Sequence, residues 1–223
     1  FFIILFLSIT FVLVANGENI FSPRQFINFD SGWRFYLGEE VDSIGVLSKK
    51  YNDSTWRLLN LPHDWAIEGD FDIHNPSGTG GGALPGGLGW YRKTFYPDSS
   101  QKGKYFFLRF DGVYMNSEVF LNGHSLGIRP NGYVSFEYDL TPYLLFGKEN
   151  VLVVKVDDRK QPNSRWYSGC GIYRHVWMTI TSPVHIALWG TYVTTVDLDK
   201  NQAVLNVQTT LKNEKKNYGK VQL

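Results

Sequence analysis

Apolar and polar positions alternate in short runs along most of this chain, each run closed by Gly, Pro, Asn or Asp, with no sustained 3.6-residue period. That pattern predicts an all-β fold. The clearest strand is 104–113, where Phe106, Leu108 and Phe110 fall on one face and Tyr105, Phe107, Arg109 and Asp111 on the other. Residues 117–121 and 124–128 flank Asn122-Gly123, a pair that tolerates the two positive φ angles of a tight type I′ hairpin. Further strands are expected at 33–37, 90–95, 133–140, 151–156 and 172–180, and a two-sheet jelly-roll sandwich accommodates them. The pattern restarts at Ser182-Pro183, with strands expected at 184–189, 191–198 and 203–211 and another opening at 220–223. Two or three strands cannot close a sandwich core, so 182–223 reads as an incomplete second β-domain behind a first domain at 24–181.

The apolar run from Phe1 to Ala15, followed by small residues to Gly17, has the length and composition of a signal-peptide hydrophobic region. It is expected to be removed on export, which makes the protein secreted or periplasmic. A membrane anchor is the alternative, although a spanning helix needs about 20 apolar residues. The run lacks an initial Met and a basic leader, so the signal reads as truncated at its start.

Composition changes this picture in three places. Lys and Arg number 22 against 21 Asp and Glu, with no block of like charge, which argues against a nucleic-acid partner. Seven Trp, 13 Tyr and 16 Phe exceed what a core of this size demands, and flat rings suit the apolar faces of sugars, although core packing accounts for most of them. A lone cysteine, Cys170, rules out an internal disulfide framework and is expected to be inert.

Candidate chemistry concentrates in two segments. The irregular stretch 62–89 holds His63-Asp64-Trp65 and a run, 78–89, in which seven of twelve residues are glycine. No Gly-Lys-Ser or Gly-Lys-Thr accompanies the glycines, so phosphate binding is disfavoured, and a mobile ligand-facing loop or an insertion without a role remains. His63 and Asp64 beside Trp65 could hold a polyol by hydrogen bonds next to a stacking ring; alternatively Asp64 caps a turn and Trp65 is core. The second segment, 162–174, is dense in donors, rings and glycines. Here Arg165 reads as functional and Arg174, inside an expected apolar strand, as structural with a paired acid. The five histidines show no metal-ligand spacing, and Asp64, Glu68, Asp70 and Asp72 share one loop without an opposed carboxylate, so neither a metal, a cofactor nor catalytic residues are expected.

Five ordered motifs carry a family resemblance: Leu61-Pro62-His63-Asp64-Trp65, Gly89-Trp90-Tyr91-Arg92-Lys93, Arg109-Phe110-Asp111-Gly112-Val113, Val119-Phe120-Leu121-Asn122-Gly123, and Ser164-Arg165-Trp166-Tyr167 through Gly171-Ile172-Tyr173-Arg174. Over residues 29–180 the chain resembles the N-terminal jelly-roll sugar-binding domain of glycoside hydrolase family 2, of the secreted bacterial β-galactosidase type. The restart near Ser182 is similar to that family's immunoglobulin-like second domain. The resemblance implies a retaining exo-glycosidase acting on terminal β-galactosides, with its two catalytic glutamates in a following TIM barrel that this stretch does not include. Taken alone, the stretch is then expected to be inactive. It also implies that jelly-roll loops help bind the terminal sugar, with Asp64, Arg165, His63 and Trp166 as candidates. Some relatives place an acid where Arg165 stands, so that acidic role does not transfer. β-Glucuronidase, β-mannosidase, a stand-alone carbohydrate-binding module, and loops that serve domain contacts or a homo-oligomer are the competing expectations.

Overall fold

The computed structural model describes residues 24–215, so the apolar leader and the strand expected at 220–223 lie outside the described residues. The described chain is all-β. Its strands are β1 Arg24–Asn28, β2 Trp33–Leu37, β3 Arg57–Leu59, β4 Gly87–Phe95, β5 Tyr105–Phe110, β6 Ser117–Leu121, β7 His124–Arg129, β8 Phe136–Asp139, β9 Asn150–Asp158, β10 Val176–Thr181, β11 Val184–Leu198 and β12 Ala203–Asn213. Short 3₁₀ turns, such as Ala66–Glu68 and Thr79–Gly81, fill several connections.

Two antiparallel sheets face each other, one ordered β1-β10-β5-β8 and the other β3-β2-β4-β9-β6-β7. The interior between them is one apolar cluster to which the first sheet gives Phe106, Leu108, Phe110, Met178 and Ile180 and the second gives Trp33, Tyr91, Val119 and Val154. The face expected to point inward on β5 does so. Phe107, expected on the opposite face, is also buried, because the His185 ring packs 5.3 Å from it across the base of the β11–β12 hairpin.

The six-stranded sheet is covered on its outer face as well. Trp90, Val151 and Val153 pack there against Val46 and Trp56. Burial on both faces explains why β9 reads as a nearly continuous apolar run instead of an alternating one. Buried Arg92 crosses this outer layer, donating to the carbonyls of Val46 and Ser48 and to the Asp53 carboxylate. The β6–β7 turn has the expected geometry, with positive φ at both Asn122 and Gly123.

Four expectations change. Residues 172–175 form an irregular segment instead of the start of a strand, since their backbone groups bond to neighbouring loops: Ile172 O accepts from His63 N and His175 O from Asp111 N. Arg174 therefore stands exposed on a bend and has no ion pair among the described residues. The two strands expected at 184–198 are one strand with a register shift between Ile186 and Thr191, so Gly190 bends the ribbon without ending it. Finally, β1 and β3, each a sheet edge, were not expected; they carry too few apolar residues in alternation to signal themselves.

Candidate functional site

The first and last of the five motifs meet at one end of the sandwich. Backbone bonds run from His63 N to Ile172 O (2.8 Å) and from Trp65 N to Cys170 O (3.3 Å), while Tyr114 and Gly171 exchange bonds of 2.9 and 2.7 Å. Three loop segments, distant in sequence, are thus zipped into a small irregular ladder. Glycine is required at its centre: Gly171 has φ +106°, and a Cβ there would lie 2.3 Å from the Tyr91 hydroxyl and 2.9 Å from His63 O.

On the inner side of this ladder the rings are buried. Trp65 is 2% exposed, its indole N–H donates to Gly86 O, and it stacks on Phe35. His63, 7% exposed, is bonded on both ring nitrogens, with Nδ1 2.7 Å from the Tyr91 hydroxyl and Nε2 2.8 Å from Arg57 Nη2. Because a guanidinium only donates, Nε2 of the neutral ring accepts and Nδ1–H donates to Tyr91. Burial holds the imidazole below its ordinary pKa, against the upward pull of Glu68, which is itself paired with Arg57. His63 and Trp65 therefore build the floor under the site and offer a ligand almost no surface.

Asp64 sits at the hinge between inside and outside. Its Oδ1 accepts from the backbone N–H groups of Ala66 (3.0 Å) and Cys170 (2.9 Å), and its Oδ2 accepts from the Tyr167 hydroxyl. The turn-capping role and the tie to the second segment are thus carried by one carboxylate. Partial burial, and after it the bond to Asp64, push the Tyr167 pKa well above the ordinary tyrosine value, so the phenol stays neutral.

The outer side is a rim of exposed rings. Trp166 is 63% exposed and its indole N–H lies 3.3 Å from the hydroxyl of Tyr133, itself 51% exposed. Arg165, also exposed, lies on the same loop with its Cα close to Gly80. Of the sequence candidates, then, the fold ties Asp64, through Tyr167 and Cys170, to the loop that carries Arg165 and Trp166, and buries His63 beneath it. The glycine-rich run is not an open loop: Ser77 Oγ donates to Leu84 O, Ala83 N to Gly78 O and Asn75 Nδ2 to Ala83 O, and Leu84 enters the core.

Sequence reasoning passed over two residues here. The sequence pattern places Tyr133 at the start of a strand over 133–140, whereas it stands outside β8 and its hydroxyl lies 3.3 Å from the Trp166 indole nitrogen. Asp158, at the end of β9, is 1% exposed and accepts from Gln161 Nε2 (2.8 Å), Asn163 Nδ2 (2.7 Å) and Cys170 Sγ (2.7 Å). The Asp157-Asp158 pair following an apolar strand was the available signal. Between Asp158, Pro85 and Trp166 lies a crevice of about 10 Å³, room for about one water.

Residues 82–183 match the family described as glycosyl hydrolases family 2, sugar binding domain. The chain carries the sugar-binding domain of glycoside hydrolase family 2. Among similar proteins, β-galactosidase BoGH2A of Bacteroides ovatus is 61% identical over 200 residues, covering 90% of this chain and 23% of the relative. A β-glucuronidase of Formosa agariphila is 31% identical over 214 residues, covering 86% of this chain and 22% of that protein. A β-glycosidase structure from Bacteroides vulgatus superposes with a TM-score of 0.81 at 46% identity, over 86% of this chain and 25% of its own. The chain thus spans about a quarter of the length of each of these relatives.

Proposed function

We propose that this chain is the non-catalytic front of a retaining exo-glycosidase that hydrolyses terminal β-galactosides, and that the rim of Trp166, Tyr133, Arg165 and Asp64 contributes to the sugar site. The observation that carries the reading is the rim itself: two exposed aromatic side chains bonded to each other, with Trp166 flanked in sequence by exposed Arg165 and by Tyr167, which donates to the Asp64 carboxylate above a buried floor. Exposed rings offer apolar faces to a sugar and the polar groups address its hydroxyls. The 61% identity to a β-galactosidase supports galactose over glucuronate. In this reading the glutamates of the reaction lie in a TIM barrel beyond these residues, and β11–β12 begin an immunoglobulin-like domain. The exposed apolar residues Val193, Leu205 and Val207 of that ribbon support contact with further protein, either more of the same chain or a second copy in a homo-oligomer. The apolar leader supports export to the periplasm or the medium.

The test is hydrolysis of aryl β-galactoside and aryl β-glucuronide by this chain and by its gene extended to the natural stop codon. Galactoside hydrolysis only in the extended form is expected. Hydrolysis by the chain alone overturns the non-catalytic reading, and a preference for glucuronide overturns the substrate.

A further inference from the structure

The segment 159–170 leaves β9 at Asp158 and returns to the ladder at Cys170, and Asp158 is bonded to both of its ends. Gln161 and Asn163 bind the carboxylate from the outgoing side and Cys170 from the returning side, so one side chain closes a loop of about ten residues. Every donor is neutral. A carboxylate removed from water without a cation favours its protonated form.

The charged and titratable groups around it do not reverse this. Asp157, on the same strand, adds a like charge. Arg159 is turned away, paired with Asp157 and Glu39. From the packed loops come Tyr114, Tyr167 and Cys170, all with pKa values pushed upward by burial and hence neutral, and Asp64 lies beyond Cys170 as a further negative charge. Burial accordingly raises the Asp158 carboxyl to about 6.

We propose that Asp158 is the positioning residue of the rim: its buried carboxyl group gathers both ends of segment 159–170 and fixes the pose of Arg165, Trp166 and Tyr167, and closure of that segment becomes more favourable once the group is protonated, because relief from burying a charge outweighs the weakening of its three accepted hydrogen bonds. The functional half of this inference rests on the proposed sugar site. The sign follows from linkage. Opening the loop hydrates Asp158 and returns it to an ordinary carboxylate, so the closed loop binds the proton more strongly than the open one, and closure strengthens as pH falls through about 6.

Amide hydrogen exchange on the full chain, expressed as protection factors so that intrinsic rates cancel, tests this directly. Protection of amides in 161–170 is expected to rise about tenfold from pH 7 to pH 5, the factor set by a carboxyl titrating near 6 in the closed state only. Asp158→Asn, which keeps the shape and is neutral throughout, is expected to retain protection but lose its pH dependence. Asp158→Ala is expected to lose about tenfold or more of the protection at every pH. A flat wild-type profile, or a slope that survives in Asp158→Asn, overturns the assignment. Titration of methyl β-galactoside into the extended enzyme separates the two readings. Affinity should weaken in Asp158→Ala and recover in Asp158→Asn, whereas unchanged affinity with protection lost overturns the sugar role of the rim and leaves the loop result standing.

Discussion

Two groups of aromatic residues lie on either side of the Asp64 hinge, and they differ in what surrounds them more than in what they are made of. Inside, Trp65 stacks on Phe35, Tyr91 lies tilted against it and His63 meets it edge to face, and the polar atoms of all three are bonded within the protein. Outside, Trp166 and Tyr133 bond each other, Tyr133 also meets the buried Tyr114 ring edge to face, and both outer rings remain more than half exposed. The same ladder supports both groups, so the inner one can be read as the foundation that gives the outer one a fixed pose. Breaking the inner group should cost stability first; breaking the outer group should cost binding alone.

The largest expected effect is therefore Trp65→Ala. Removing a side chain that is 2% exposed leaves a large cavity under the ladder and is expected to destabilise the chain by about 3–5 kcal/mol, read as a shift in urea midpoint. A loss under about 1 kcal/mol would show that the inner group is no foundation.

His63→Ala comes next, at about 1–3 kcal/mol, because the buried Tyr91 hydroxyl loses its short bond and keeps only the long one from Ile172 N. Its signature is a pH dependence. The folded imidazole titrates below its ordinary value, so its contribution is complete above the ordinary histidine pKa of about 6.5 and is lost as pH falls through the lower folded value. Asp158 slopes the other way below about 6, and the comparison is cleanest in an Asp158→Asn background. There, the stability of the chain with His63 should fall between pH 7 and pH 5, while that of the His63→Ala variant should fall less. Equal slopes would mean that the ring is not held neutral by burial.

How much of this contrast could be seen beforehand depends on the kind of information involved. Alternation exposed β5 and the Asn122-Gly123 hairpin because one buried face and one turn type are local properties. Burial of Phe107 and the irregular path of 172–175 depend on the hairpin base and on His63, residues 78 or more positions away or in another loop, and no local period reports them. The site shows the same division. Asp64, Arg165 and Trp166 were legible as unusual residue types in loops, but His63 beside Asp64 points inward only because Tyr91 and Arg57 are there to receive it. Asp158 looked like the polar end of a strand. Its burial is created by the returning loop.

On the outer side, Trp166→Ala is expected to weaken methyl β-galactoside binding by the extended enzyme about tenfold, a loss of about 1.4 kcal/mol. The stability of the domain should stay within about 0.5 kcal/mol, because a side chain 63% exposed buries little. Weakened stability with intact affinity would reverse the assignment of the two groups.

The smallest effect sharpens the comparison most. Tyr133→Phe removes only the hydroxyl that receives the Trp166 indole N–H at 3.3 Å, leaving both rings in place. A bond of that length between exposed groups competes with water, so its loss should cost about 0.4 kcal/mol, or about twofold in affinity, with no change in urea midpoint. If the variant instead binds as weakly as Trp166→Ala, the rim depends on one exact ring orientation, and the hydroxyl, more than the aromatic faces, is what prepares it for sugar. If affinity is unchanged, the rings act separately and the pose of Trp166 comes from its own loop, which returns the control of the outer group to Asp158 and the inner ladder beneath it.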